Sequence, residues 1–373
     1  MTKKQRFLKF NGIEDVQQGL FASKDHIAEM LRFIGGFEYW SILPEDCREE
    51  VVKYVDYTSR CKLGICSRKD HETVKNTPIP VQSVEIEESP TREGHKVTVR
   101  VEFDCENFLN QYFTQIVRDP RSQHLSSDCH KKAARFAEKW IKKGKFDLNQ
   151  IVIQMTKFPF EASQLKTLPH CKYARFQIDD MDSLNWFIEK LPQQLGSLSI
   201  SEFSRNPEPF TVPSNILSKP QVMQASRLNI GERAEFTNEQ FLKLKAKELE
   251  FDSVNVTAQG VNQYIKNWMN GKGVDGFKSL KLGVDRSFDL DALMVGLGAR
   301  YWDEEFEAEA PDLVRIVRRK TRGPCFQIQS QSIPYQSLTL NLDEDVVRVV
   351  ATGFQGKRDG EPCQDYMRQG YYI

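Results

Sequence analysis

The spacing of apolar positions changes along the chain, and each change marks a different kind of element. Ile27, Met30, Leu31 and Ile34 recur at i, i+3, i+4 and i+7. That spacing predicts one amphipathic helix within residues 1–36, capped by Ser23 and ended by Gly35-Gly36, docking on whatever follows. Residues 37–78 predict a compact helical block. Pro44 suits a helix start, where its missing N–H costs nothing, and Glu45 and Asp46 fall in the favourable first turn. Cys47, Val51 and Val55 recur at i+4, with Val52 beside them. A second short helix is expected to carry Cys61, Leu63, Ile65 and Cys66. A third is expected from about Ser67 to Asn76, ended by Thr77-Pro78.

The period then changes to two. Val84 and Ile86 alternate with polar residues, as do Val97, Val99, Val101 and Phe103. Two half-buried strands follow, joined as a hairpin through Ser89–Gly94. Phe108, Leu109, Tyr112, Phe113 and Ile116 predict a helix. A basic helix is predicted near 126–143, with Ala133, Phe136, Ala137, Trp140 and Ile141 on its apolar side.

From Ile151 a loose repeat emerges. Short apolar strands are expected at Ile151–Met155, Ala174–Ile178, Ser197–Ile200, Arg227–Ile230, Glu248–Phe251 and Ser279–Leu282. Helical stripes fill several of the gaps: Leu184, Phe187, Ile188 and Leu191, and later Val261, Tyr264, Ile265 and Trp268, closed by Gly271. Thr237-Asn-Glu-Gln240 is a capping-box pattern. Strand plus helix every 22 to 31 residues or so is the rhythm of a leucine-rich-type repeat, with an ordinary α/β sandwich as the alternative because the leucine consensus itself is degenerate. The C-terminal part reads as strands. Asp312–Lys320 and Cys325–Gln331 predict a hairpin, followed by Leu338–Leu342 and Val346–Ala351, and the polar, glycine-rich residues from Gly353 predict a mobile tail.

Composition narrows the function. The 373 residues hold 52 Lys plus Arg and 52 Asp plus Glu, so there is no global field to draw in nucleic acid. No apolar run is long enough for a membrane span, and the basic N-terminus is not followed by a secretory core. The eight cysteines are scattered without a CxxC pair and read as reduced, mostly buried thiols. A cytoplasmic or nuclear protein is expected.

Catalytic patterns are missing. Gly271-Lys-Gly273 and Gly296-Leu-Gly298 complete no phosphate-binding motif and read as helix ends and turns. Cys61, Cys66 and His71 lack zinc-ligand spacing. Adjacent Cys129 and His130 form no nucleophile–base couple, and neither GxSxG nor HExxH occurs. No cofactor, metal or catalytic residue is expected. The acidic run Asp303–Glu309 and the basic run Arg315–Arg322 read as solvated surface that could pair internally or meet a partner. What remains is interaction surface: a small helical block joined to a larger repeat-like body.

Three segments carry a family resemblance. Trp40-Ser-Ile-Leu-Pro-Glu-Asp, then Val51-Val-Lys-Tyr-Val-Asp56, then Arg60-Cys-Lys-Leu-Gly-Ile-Cys-Ser67 resembles an F-box. Phe236–Leu244, Val256–Trp268 and residues 312–330 resemble the F-box-associated domain of the nematode-expanded F-box families. Two features depart from the pattern: Cys47 stands where leucine or isoleucine is usual, and the third helix lacks a tryptophan common in other F-boxes. The resemblance implies an N-terminal three-helix F-box followed by a leucine-rich-like strand–helix body ending in antiparallel hairpins, an α+β or α/β chain. The implied organisation is an extension at 1–36, an F-box at 37–80, a hairpin and helical connector at 81–150, a substrate-binding α/β region at 151–353 and a flexible tail at 354–373.

The implied function is that of a substrate receptor of an SCF-type cullin–RING ubiquitin ligase. It performs no bond chemistry; it raises the effective concentration of a protein substrate. The F-box would dock on the Skp-type linker and, through it, on cullin. Leu43, Pro44, Val51, Val52, Val55 and Leu63 match the family's linker-contacting or core positions, and the sequence does not separate those two roles. Tyr301, Trp302 and Phe306 are candidate substrate anchors by residue type, with Tyr301 and Trp302 expected to be exposed. Trp268 belongs to its helix's apolar stripe. The alternative is a ligase-independent interaction scaffold with a vestigial F-box, which the two departures favour.

Overall fold

The computed structural model describes residues 40–55, 57–79, 81–91, 94–103, 111–118, 127–143, 148–204, 210–284, 288–319, 321–358 and 361–366. The helix expected within 1–36 lies outside them. The chain divides into two compact units, Met1–Ile79 and Pro80–Ile373.

Among its described residues the first unit holds a 3-10 turn at Trp40–Ile42 and three helices, α1 (Glu45–Lys53), α2 (Tyr57–Leu63) and α3 (Arg68–Asn76). The second helix starts and ends earlier than the sequence suggests. Ile65 and Cys66 fall in the turn that follows it, closed by the bond from the Cys66 N–H to the Leu63 carbonyl at 2.9 Å. Ser67 caps α3, its hydroxyl accepting from the Asp70 N–H.

The second unit is built on one mixed sheet. Its strands in chain order are β1 (Val81–Thr91), β2 (Gly94–Phe103), β3 (Gln111–Arg118), β4 (Leu148–Met155), β5 (Cys171–Ile178), β6 (Ser197–Ser201), β7 (Thr211–Val212), β8 (Arg227–Ala234), β9 (Glu248–Ser253), β10 (Ser279–Gly283), β11 (Arg300–Tyr301), β12 (Cys325–Gln329), β13 (Ser337–Leu342), β14 (Val346–Arg358) and β15 (Glu361–Tyr366). Between them lie α4 (Ser127–Lys143), α5 (Met181–Lys190), α6 (Ser214–Leu217), α7 (Pro220–Met223), α8 (Asn238–Lys243), α9 (Ala258–Met269), α10 (Leu290–Met294), α11 (Glu304–Glu309) and α12 (Pro311–Arg318).

The sheet order is β11-β12-β13-β14-β10-β9-β8-β6-β5-β4-β1-β2-β3, with β15 on β14 and β7 on β8. From β1 through β4, β5, β6, β8, β9 and β10 every neighbour is parallel. The six strands expected from 151 to 282 are therefore present and stand side by side in chain order. β6, β9 and β10 bury alternate residues, such as Leu198 and Ile200, or Leu249 and Phe251, whereas β4 buries Ile151, Val152 and Ile153 in succession. The helices cover that apolar side: Phe176 of β5 stacks on Phe187 of α5 at 5.0 Å, and Phe251 of β9 meets Phe241 of α8 at 6.1 Å. The capping box at Thr237 and Gln240 forms as the sequence predicts. Past α9 the chain reverses at Gly271 with φ of 70°, a left-handed conformation that glycine adopts without strain.

Four expectations are corrected. Residues 111–118 form a strand, not a helix, paired antiparallel to β2. Aromatic and β-branched residues dominate Tyr112–Val117, and an open sheet edge gave that composition a partner. Residues 81–150 are not a separate connector, because β1 pairs with β4 and carries the same sheet onward. Asp312–Lys320 is not a strand: Pro311 opens α12, and Leu313, Val314 and Val317 bury one helical face. Residues 354–373 are not a free tail throughout, since β14 continues to Arg358 and pairs with β15.

Candidate docking site on the N-terminal helices

Two buried polar side chains fix the first unit. The Asp70 carboxylate accepts from the Trp40 indole N–H at 2.8 Å and from the Ser67 hydroxyl at 2.6 Å, tying the 3-10 turn to α3. Arg60, 2% exposed, donates to the carbonyls of Val55, Pro78 and Lys53 at 2.8, 2.8 and 2.9 Å. One guanidinium thus joins the end of α1, α2 and the chain leaving α3. Each contact is charge-assisted and partly buried, so removing either side chain leaves polar groups short of a partner.

These ties orient α1. Arg48 and Val52 face inward and are buried. One position round the helix, Pro44, Cys47, Val51 and Tyr54 share a face at i, i+3, i+7 and i+10, and all four are exposed. Val51 is 45% exposed and Tyr54 68%. Ile42 at 72% and Ile65 at 47% expose further apolar area on this small unit. Together these side chains give the unit an exposed apolar face. Burial pushes the Tyr57 hydroxyl well above the ordinary phenol range, with the Cys61 thiol adding to it, so the unit keeps this tyrosine neutral.

Among the sequence candidates, Pro44 and Val51 are exposed and Leu43 and Val55 are half-buried. Val52 and Leu63, at 0% and 8%, hold the helices together and offer no area to a partner. Ile42, Cys47, Tyr54 and Ile65 are also exposed, and none of them is among the sequence candidates. The helical spacing from Pro44 and Val51 already pointed to Cys47 and Tyr54.

The second unit's anchors separate in the same way. Tyr301 is 54% exposed, with its ring edge-to-face on Phe326. Trp302 and Phe306 are buried and stack at 5.0 Å over Leu313, Val314, Val317 and Cys325. The acidic run explains this: Asp303 caps α11 by accepting from the Phe306 N–H at 2.9 Å, and the first turn then directs Phe306 inward. The acidic and basic runs do pair, Glu307 with Arg318, and Arg300 joins Glu309 at 2.8 Å. Trp268 is half-buried on α9.

Residues 40–82 match the family described as F-box domain, and residues 220–282 the family described as F-box associated. An uncharacterized F-box protein of Caenorhabditis elegans is 34% identical over 380 aligned residues, spanning 95% of this chain and 98% of that protein. The chain belongs to the F-box protein family. No solved structure matches it. F-box domains generally bind a Skp-type linker and, through it, cullin, and F-box-associated domains are interaction modules. In this F-box protein the exposed face of α1 lies within the matched F-box, and α8, α9 and β8–β10 lie within or across the matched associated domain. Among the described residues no group of His, Cys, Asp and Glu could hold a metal, and no helix is long and apolar enough to cross a membrane.

Proposed function

We propose that this F-box protein is the substrate-recognition subunit of an SCF-type cullin–RING ubiquitin ligase in the cytoplasm or nucleus. The F-box docks on the Skp-type linker through Ile42, Leu43, Pro44, Val51, Tyr54 and Val55, and the second unit holds a protein substrate. The parallel array is read as a leucine-rich-like repeat that presents an extended face, the usual use of such stacked units. The observation that carries the docking assignment is the exposed apolar stripe on α1. A fully buried valine or leucine is worth about 1.5–3 kcal/mol, so a few such residues sustain a stable interface.

The test is a calorimetric titration of the purified chain with a Skp-type linker, alongside Val51→Asp and Tyr54→Asp. Both positions are exposed, so the helical circular dichroism should be unchanged. Each substitution is expected to weaken binding by about tenfold or more, the equivalent of 1.4 kcal/mol or more. Native affinity in both variants sinks the assigned face. No linker binding by the folded native chain favours the ligase-independent scaffold, a reading supported by the small, exposed Cys47 within the stripe.

A further inference from the structure

The side of the parallel array away from its helices is divided by charge. Register places Arg175, Ser199, Asn229, Glu250, Lys281 and Arg348 in one row across β5, β6, β8, β9, β10 and β14. From Asn229 onward the row is closed on itself. Glu250 accepts from Asn229 at 3.0 Å and from Lys281 at 2.7 Å, and Arg348 donates to Asn341 at 3.2 Å. Beside it, Arg227 and Lys278 both reach Glu248, at 3.0 and 2.9 Å.

Arg175 differs. It is exposed, and its register neighbours are Val152 and Ser199, neither of them acidic. Among the described residues its guanidinium has no ion pair or hydrogen bond. The hydroxyls of Tyr173 and Ser199 next to it are likewise without a protein partner. An unpaired cation, hydroxyl donors and no carboxylate in register are therefore grouped on β5 and β6. The serines of β6 are small, which leaves space beside Tyr173 and Arg175.

We infer that β5 and β6 form the substrate-contact part of this face, and that they take an extended, carboxylate-bearing segment of a protein. A guanidinium accepts a carboxylate through two parallel N–H···O bonds, and the hydroxyls supply further donors. Glu250, the acid of the row, is already paired, so this stretch gives a basic segment no unpaired partner. The inference rests on the receptor reading for its biological use, but its chemistry is tested separately.

The test is panning a random-peptide phage library on the purified full chain, then measuring selected peptides on the native chain, Arg175→Glu and Arg175→Lys. The expected result is enrichment of peptides rich in Asp and Glu, bound about tenfold or more weakly by Arg175→Glu and within about threefold by Arg175→Lys. Rising salt should weaken the native interaction. Three results would overturn the inference: no enrichment, acidic peptides indifferent to Arg175→Glu, or enrichment of Lys- and Arg-rich peptides. The last would move the contact to Glu202, Glu232 and Asp252, where burial and mutual repulsion push the Glu232 carboxyl up. Linker titration of the same preparations separates the two ideas. Acidic peptides bound without the linker would end the receptor reading alone, and the reverse pattern would end only this one.

Discussion

The parallel strands β4–β10 and the antiparallel strands β11–β15 belong to one sheet, yet they bury opposite amounts of it. Parallel strands are ordinarily covered on both faces, and antiparallel ones commonly leave one face wet. Here the assignment is reversed. β6, β9 and β10 bury only alternate residues, and their second face is polar and accessible. β13 buries all six of its residues. Leu338, Leu340 and Leu342 lie on one side of it, and Ser337, Thr339 and Asn341 on the other. That polar side is buried with Gln327 and Thr352, and Trp302 lies against Gln327. What decides coverage is which elements the connections supply, not the direction of the strands. α5, α8 and α9 lie on the array's apolar side, whereas the stacked Trp302 and Phe306 close the antiparallel end against α12.

The difference predicts how each region fails. The largest effect is expected in the apolar layer of the array. Phe187 is 1% exposed and packs on Phe158 and Phe176 at 4.6 and 5.0 Å. Phe187→Ala should cost about 3–5 kcal/mol in urea unfolding, by lost transfer energy and an unfilled cavity. A loss under about 1 kcal/mol would mean that the array's core is not the stable part.

A smaller effect is expected from the buried network of the antiparallel end. Gln327 donates to Ser337 and Thr352 at 2.6 and 3.0 Å and accepts from Trp302 and Thr339 at 3.3 and 3.0 Å. Gln327→Leu strands several buried donors and should cost about 1–3 kcal/mol. The network holds no titratable group, so this cost should be the same at pH 7 and pH 4.

The array's N-terminal side supplies the contrasting case. Glu88 is 4% exposed, accepts from the Thr156 N–H and hydroxyl at 3.0 Å each, and lies 3.4 Å from His130 Nε2. Burial alone would raise its carboxyl, but His130 and Thr156 outweigh that and hold it below the ordinary value of 4.5. A depressed carboxylate contributes stability that is complete above the unfolded value and disappears as pH falls through the folded one. Stability measured by urea unfolding should therefore fall with acid below about pH 4.5, and Glu88→Gln should flatten that part of the profile. An identical acid slope in the variant would assign the loss to other carboxylates.

Legibility from sequence followed the same division. All six strands of the array were visible because each buries one face, so apolar residues alternate and register with the helical stripes between them. The helical unit was legible through Pro44, Ser67 and the spacing of Val51 and Val52. Its exposed face was only half legible, because Val51 and Val52 are equivalent as residue types. Only the packing of α1 in the folded unit, with Arg48 and Val52 buried, turns one outward and the other inward. Trp302, expected to be exposed, was misplaced for a related reason. Its acidic neighbours suggested exposure, but α11 keeps the carboxylates outside and the rings of Trp302 and Phe306 inside. The segment 111–118 was misread because its aromatic spacing fits a helix, and the edge of β2 that it pairs with is set by chain folding elsewhere.

The sequence by itself determined which stretches could form elements, where caps and turns fall, and which family the chain resembles. These are properties of local spacing, and neighbouring residues suffice to express them. Tertiary structure decided which face of each element is covered, that residues 81–150 share the body's sheet, that Asp312–Arg318 is a helix and that Arg175, among the described residues, is the charged side chain of its row left without a partner. Burial and pairing depend on residues tens of positions apart being brought within a few ångströms, and no local pattern encodes which of them arrive.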